Sequence, residues 1–372
     1  MLTNVTTCSV KSFGLHQSFT PKLRWFVKSF RGVESNPKIF SEPDAPSQLG
    51  VGKNMVTSMV HWALAFQIIR LKSLNRPLQR KAPAHYEPAP LGSFLLDKSS
   101  GVDPYLERAE SLWLLHWVAT RPTCRLPIWW LTFNALEASK FSSSDLELFC
   151  LNSLDSSEWR YNKPKMVKRD VDCLLRMYSE RVSNQQSESA KDVVDELFRD
   201  LGLIQLDAAT RSYQFVWGDK PSLTAPLIGL FAFDVLTADD TGQRTWSPTK
   251  LLNGPNGLAG RLKIGIDDLV SAWLELSSEV DIGITYPTGV PQFIINEEPE
   301  RLRSRALEIV FGRTSRGQAT IDPFTGNKTD RIQLELQKTP DAGLSNASKK
   351  RRKPTTLQSK SPRVRAHRGF GQ

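Results

Sequence analysis

Two histidines and two carboxylates in the first third of the chain could cooperate in hydrolysis. They are His61, Asp103, Glu107 and His116. Imidazole and carboxylate groups hold the metal ions that activate water in hydrolysis, and the ion that this set could hold, if any, is Mg²⁺ or Mn²⁺. The spacing of these four residues is not diagnostic of a metal site. A histidine on an apolar helix face is also more often a hydrogen-bonded core residue than a metal ligand. His16 is an alternative catalytic base, and the sequence leaves the ligands of a metal undefined.

A glycine-containing turn precedes a long helical pattern and could bind an anion. Gly50 and Gly52 allow a tight turn, and Lys53 and Asn54 follow at the predicted helix start. Free N–H groups and the helix dipole favour a phosphate there, such as that of a nucleic-acid backbone. The stretch is not a P-loop, because one residue separates the glycines and Asn54 follows the lysine. The alternative interpretation is an ordinary helix start that binds no anion. In addition, we expect Gly52 to have a backbone conformation that valine cannot adopt.

A basic face is predicted on a helix near the middle of the chain. Lys165, Lys168 and Arg169 lie at the N-terminal end of that helix, on the side opposite to its apolar residues. Helix-turn-helix proteins contact DNA with this end of their third helix, so the three residues are expected to bind the backbone of double-stranded DNA. A solvated charged face is the alternative interpretation.

The end of the chain is strongly basic. Residues 341–372 contain nine Lys or Arg and one Asp, whereas the other 340 residues carry 40 basic and 38 acidic side chains. This segment lacks an apolar face, which predicts a disordered tail that binds nucleic acid through its charge or only aids solubility. Its densest cluster is Lys349, Lys350, Arg351, Arg352 and Lys353.

Hydrophobic periodicity predicts a mainly α-helical protein with short β-hairpins. A first helix is expected over residues 13–32, with Thr20 and Pro21 at its start, and a later helix over residues 262–276. Three helices closed by a hairpin recur twice, which indicates two tandem winged-helix-like units. The predicted parts are an N-terminal helical domain (1–122), a first winged-helix-like unit (123–222), a second winged-helix-like unit (223–300), a variable segment (301–340) and the disordered basic tail (341–372).

The two predicted units differ in charge. Asp267 and Asp268 stand in the second unit where the first unit has its basic residues, and they would repel phosphate. The second unit is therefore expected to pack within the protein or to contact another protein.

Composition suggests a cytoplasmic protein. Four scattered cysteines with no Cys-x-x-Cys pair argue against a disulfide framework and a thiolate zinc site. No signal peptide is apparent, and the longest uncharged run, 16 residues from Asn54 to Ile69, is shorter and more polar than a membrane span. The oligomeric state is not defined by these features.

Three motifs resemble a bacterial family that is built on a domain of unknown function and includes SspB of single-stranded DNA phosphorothioation systems. They are Leu49-Gly-Val-Gly-Lys-Asn-Met-Val56, Asp103-Pro-Tyr-Leu-Glu107 with Leu112-Trp-Leu-Leu-His-Trp117, and Arg169-Asp-Val-Asp-Cys-Leu-Leu-Arg-Met-Tyr178. The opening Phe13-Gly-Leu-His-Gln-Ser-Phe-Thr-Pro is also similar, although Gln17 replaces an expected acidic residue. The resemblance covers about residues 12–300.

The resemblance implies a function in anti-phage defence. Its relatives are thought to nick DNA so that partner enzymes can replace a phosphate oxygen with sulfur. It therefore implies a DNA-binding component, either a nickase or a non-catalytic DNA-binding or scaffold subunit of a defence or transcription-regulatory complex. The partners it implies are a cysteine desulfurase, an iron–sulfur ATPase component and an ATP pyrophosphatase.

Overall fold

The structure is a computed structural model, which describes residues 4–72, 84–180, 197–239, 241–254, 256–312 and 322–324. Helices predominate, joined by three small antiparallel sheets. The predicted basic tail lies outside the described residues. Within the part of the chain that is described, no helix is long and apolar enough to cross a membrane.

The N-terminal part consists of short helices and a two-stranded sheet. Its elements are α1 (Val5–Cys8), α2 (Leu23–Ser35), a 3₁₀ turn (Ile39–Ser41), α3 (Ala45–Leu49), α4 (Lys53–Ala65), β1 (Ile69–Leu71), β2 (Tyr86–Pro88), α5 (Pro90–Leu96) and α6 (Ala109–Thr120). α2 packs against α4. α6 is buried on nearly every side from Ser111 to Thr120, as its uniformly apolar sequence predicts.

The helix predicted over residues 13–32 begins later than expected. α2 starts at Leu23, and residues 13–22 form an irregular segment. Gly14, Gln17 and Ser18 have φ values of 63°, 51° and 65°, a left-handed conformation that a right-handed helix cannot contain. The prediction of a helix from residue 13 was therefore wrong, and this segment has a separate role described below.

The first unit spans residues 127–215. It contains α7 (Pro127–Asn134), β3 (Lys140–Phe141), α8 (Ser143–Asp155), α9 (Pro164–Tyr178), a 3₁₀ turn (Arg199–Leu201), β4 (Ile204–Asp207) and β5 (Ser212–Phe215). The strands form an antiparallel sheet in the order β3-β5-β4, with Phe141 opposite Tyr213 and Ile204 opposite Phe215. Ser142 and Asp145 make a reciprocal capping box that begins α8.

The second unit spans residues 225–295 and repeats this order. It contains α10 (Ala225–Thr237), β6 (Thr245–Trp246), α11 (Pro248–Asn253), α12 (Ala259–Leu262), α13 (Ile266–Leu276), β7 (Ile282–Thr285) and β8 (Gln292–Ile295). Its sheet order is β6-β8-β7. The helix predicted over residues 262–276 is interrupted at Lys263, whose left-handed φ of 53° ends α12 before α13 begins.

Buried aromatic residues and a terminal helix complete the core. Trp273 of α13 stacks on Phe293 of β8 with ring centroids 4.3 Å apart, and Trp117 of α6 stacks on Phe231 of α10 at 4.5 Å. The second contact joins the N-terminal part to the second unit. The last described helix, α14 (Pro299–Phe311), packs against α10 through its buried residues.

Candidate nucleic-acid interface

Asp103 organises the start of α6. Its carboxylate is buried and accepts hydrogen bonds from the backbone N–H groups of Glu107 and Arg108, both at 3.0 Å, and from the Ser111 hydroxyl at 2.7 Å. Both carboxylate oxygens are therefore occupied by donors of the same turn. Glu107 itself is exposed to solvent.

His116 is an internal link between three elements. Its Nε2 lies 2.8 Å from the backbone carbonyl of Arg261, and its Nδ1 lies 2.7 Å from the hydroxyl of Tyr178. A carbonyl only accepts, so Nε2 carries the proton and Nδ1 of the neutral ring accepts from tyrosine. Complete burial lowers the pKa of His116 to about 3, and the nearby charge of Arg261 lowers it as well.

His61 lies beside His16 and not beside the carboxylates. The two imidazole rings are 6.2 Å apart between centroids, and burial holds the pKa of His61 well below its ordinary value. Among the described residues, no three His, Cys, Asp or Glu side chains are grouped so that they could hold a metal ion. The candidates His61, Asp103, Glu107 and His116 thus do not form a ligand set, and these four residues do not fit a bound Mg²⁺ or Mn²⁺.

His16 and Asp170 form a buried pair that joins the N-terminal segment to α9. The His16 Nε2 lies 2.6 Å from the Asp170 carboxylate, which also accepts the backbone N–H of Gly14 at 2.9 Å. His16 is 1% exposed, and its Nδ1 is buried with no hydrogen-bond partner among the described residues. The imidazole is thus held inside the protein, and the pair fixes the N-terminal segment to α9.

Three further hydrogen bonds hold residues 13–19 between α4 and α9; we call these residues the clamped loop. Ser58 donates to the His16 carbonyl at 3.0 Å, and the Trp62 indole donates to the Phe19 carbonyl at 3.0 Å. Arg176 of α9 donates to the Ser18 carbonyl at 3.0 Å. Two helices far apart in sequence are thereby fixed relative to each other, and the side chains of Gln17 and Ser18 remain exposed.

The three basic residues predicted on α9 have different surroundings. Lys165 is exposed and has no ion pair within the described residues. Lys168 lies 2.9 Å from the Glu147 carboxylate and 3.6 Å from that of Asp172, and the hydrogen bond to Glu147 raises the pKa of Lys168. Arg169 is half-buried. Of the three, Lys165 is the most available to a phosphate.

A basic and aromatic surface lies beside Lys165, and sequence reasoning missed it. The rings of Phe13 and Tyr161 stack with centroids 4.0 Å apart. The ammonium groups of Lys11 and Lys163 each lie 5.8 Å from the Tyr161 ring, and both lysines are exposed. The alternation of aromatic and basic residues from Trp159 to Lys165 is the sequence signal that could have indicated it.

The glycine turn before α4 differs in detail from the prediction. Gly50 ends α3 in a left-handed conformation with φ 61°, whereas Gly52 has an ordinary φ of −69°. A Cβ atom at Gly52 would meet no atom within 4 Å, so the expectation that valine is forbidden there was wrong. Lys53 and Asn54 are exposed in the first turn of α4, which has no side-chain cap. The Lys28 ammonium donates to the Leu49 carbonyl at 2.9 Å and places a second positive charge near this turn.

Comparisons with known proteins match this chain to one family. The family model for a protein of unknown function, DUF4007, matches residues 13–311. A magnesium-bound crystal structure of SspB has a TM-score of 0.77 to this chain, and another SspB crystal structure has a TM-score of 0.75. Both are 26% identical in sequence, and each match covers 90% of this chain and 98% of the SspB chain. The comparison with curated protein sequences finds no match.

Proposed function

Because the chain belongs to the DUF4007 family, we propose that it is a cytoplasmic DNA-binding component of a bacterial DNA phosphorothioation defence system. The observation that carries the proposal is the similarity to SspB over nine-tenths of this chain and nearly all of SspB. The proposed partners are double-stranded DNA and the cysteine desulfurase, iron–sulfur ATPase component and ATP pyrophosphatase of such a system.

The two repeated units support a winged-helix-like interpretation. Each has a helix, a strand, two or three further helices and then two strands, and in each the last strand is central in the sheet. α9 is the third helix of the first unit. Helix-turn-helix proteins present the N-terminal end of this helix to DNA, and here that end carries exposed Lys163 and Lys165.

Phosphate contacts are proposed at three places. At the first, Lys11, Lys163 and Lys165 would pair with phosphates beside the Phe13–Tyr161 stack, and Arg169 would contribute at its edge. At the second, the turn of Gly50 and Gly52 leads into Lys53 and Asn54, where the first turn of α4 would offer its free N–H groups and one ammonium group. At the third, the basic tail with Lys349, Lys350, Arg351, Arg352 and Lys353 would add affinity that does not depend on sequence.

A non-catalytic DNA-binding or scaffold role is the second candidate function, and one specific observation favours it. Asp103, His61 and His116 are buried, and the polar atoms of Asp103 and His116 are engaged in internal hydrogen bonds. A nickase of this fold would require other groups or a rearrangement that frees them.

One experiment tests DNA binding and nicking together. We expect the change of Lys11, Lys163 and Lys165 to alanine to weaken binding to any duplex by about tenfold, because phosphate contacts carry no sequence information. A matched variant removes the same charge from exposed lysines elsewhere (Lys38, Lys72 and Lys98) and should bind nearly as wild type. Equal losses in the two variants would reject the proposed surface.

The same purified protein, incubated with supercoiled plasmid and Mg²⁺ or Mn²⁺, distinguishes the two candidate functions. A nickase converts the plasmid to relaxed circles, and a chelator stops the reaction. Intact supercoiled plasmid, together with duplex binding, would establish the non-catalytic alternative.

A further inference from the structure

The second unit carries surface chemistry opposite to that of the first. Residues 264–300 contain eight Asp or Glu and no Lys, Arg or His, whereas residues 160–178 contain six basic and two acidic residues. The last α-helix of each unit, α13 in the second and α9 in the first, lies within these two segments. A DNA backbone suits the surface of α9 and is repelled by that of α13.

An apolar row is exposed along α13. Ile266, Val270 and Leu274 follow one another at four-residue spacing and so lie along one side of the helix. Ile266 is 40% exposed and Leu274 is 54% exposed, although neighbouring α13 residues such as Leu269 and Trp273 are buried in the core. Val270 between them is half-buried and packs against the core, so Ile266 and Leu274 are the members of the row that another molecule can reach.

Carboxylates surround the apolar row. Asp267, Glu275 and Glu279 are exposed and form no ion pair within the described residues. Beyond the C-terminal end of α13, a groove of about 600 Å³ lies between residues 278–281 and α14 and is lined by five carboxylates and two arginines. Ser278, four residues after Leu274, lines this groove, so the row leads towards it.

We propose that this α13 face, defined by Ile266, Val270, Leu274 and the surrounding carboxylates, binds a basic amphipathic helix of a partner protein. The apolar row matches the apolar side of such a helix, and Lys or Arg residues flanking that side would meet Asp267, Glu275 and Glu279. Nucleic acid and anionic lipid are repelled by the same carboxylates. A second copy of this face would bring carboxylates against carboxylates, so self-association through it is disfavoured.

The test uses a labelled, helix-forming peptide of about 18 residues with leucines along one side and lysines elsewhere. We expect the full-length protein to bind it at physiological salt in a fluorescence-anisotropy titration. A peptide with the same leucines and glutamates in place of the lysines should not bind. Failure of the lysine peptide to bind, or equal binding of both peptides, would overturn the proposal.

A pair of protein variants separates the α13 face from general attraction of a cation to an acidic protein. Changing Ile266 and Leu274 to glutamine keeps every charge and should weaken lysine-peptide binding about tenfold. Leu148→Gln removes a leucine that is 59% exposed on α8 and should leave binding unchanged. Because these side chains are exposed, thermal unfolding of both variants should match wild type. Equal affinity of the double variant and wild type would refute binding at this row.

Discussion

A proton added to the imidazole of His116 would sit in surroundings that stabilise only the neutral ring. Its Nδ1 accepts the Tyr178 hydroxyl and would lose that hydrogen bond, and the buried charge would face Arg261. His61 is also fully buried, and burial is the main reason that its pKa is low. We therefore expect both histidines to couple folding to pH.

We expect the fold to lose stability as the pH falls below about 6.5, the ordinary pKa of histidine. The unfolded chain takes up protons that the folded chain excludes, so acid favours unfolding. For each histidine that stays neutral in the folded protein, the free energy of unfolding should decrease by about 2 kcal/mol when the pH is lowered from 7.5 to 5.0. Urea unfolding at the two pH values measures the loss.

A His116→Gln variant isolates the contribution of this residue. It should be less stable than wild type at pH 7.5, because it cannot reproduce both hydrogen bonds, yet its stability should fall by about 2 kcal/mol less on acidification. A variant with the same pH dependence as wild type would contradict an uncharged His116 in the fold.

The roles of single residues were the least predictable from the sequence. The helical positions of His61 and His116 were readable from apolar spacing, but the partners of His116 are a tyrosine 62 residues away and a carbonyl 145 residues away. Likewise, His16 meets Asp170 across 154 residues. Such pairings depend on how the elements pack, which periodicity along one helix does not encode.

At the scale of elements, the clamped loop and the glycine turn hold α4 in place. The alternation of apolar residues in both hairpins allowed the repeated order of helices and strands to be anticipated. The first helix was misplaced because the left-handed residues Gln17 and Ser18 are not glycines and therefore gave no signal of a break. The segment that contains them is held by hydrogen bonds from Gly14 to Asp170, from Ser58 to the His16 carbonyl and from Arg176 to the Ser18 carbonyl.

The two glycines before α4 should respond differently to substitution. Gly50→Ala should destabilise the protein by about 1–2 kcal/mol, because an alanine is strained at its left-handed φ. Gly52→Ala should cost less, roughly 0.5 kcal/mol, because its φ is ordinary and space is free, and only the poorer N-cap preference of alanine remains. Chemical unfolding measures both, and equal losses would contradict this account of the turn.

Lys53→Ala tests whether the same turn binds phosphate. The side chain is exposed, so the melting temperature should stay the same, whereas DNA binding should fall severalfold if the start of α4 holds a backbone phosphate. DNA binding equal to that of wild type would leave Gly50 to Lys53 as an ordinary helix start.

At the scale of the whole molecule, the net positive charge is concentrated in residues 341–372. Residues 341–372 carry a net +8, from nine basic residues and one Asp, and the other 340 residues carry +2. Within the described part, α9 is basic and α13 is acidic, so a DNA duplex and a basic protein segment would be directed to different units. This division was readable from sequence because it depends on composition, whereas the surface beside Lys165 depends on packing.

Removing residues 341–372 should weaken DNA binding mainly at low salt. Each phosphate neutralised by Lys or Arg contributes about 0.9 to the slope of log affinity against log salt, because bound counterions are released. The truncated protein should therefore show a flatter slope and the same melting temperature, since every described residue is retained. A full-length variant with alanine at residues 349–353 separates charge from length and should flatten the slope in part. If the truncated protein keeps the wild-type slope, the tail does not contact DNA and its charge serves solubility alone.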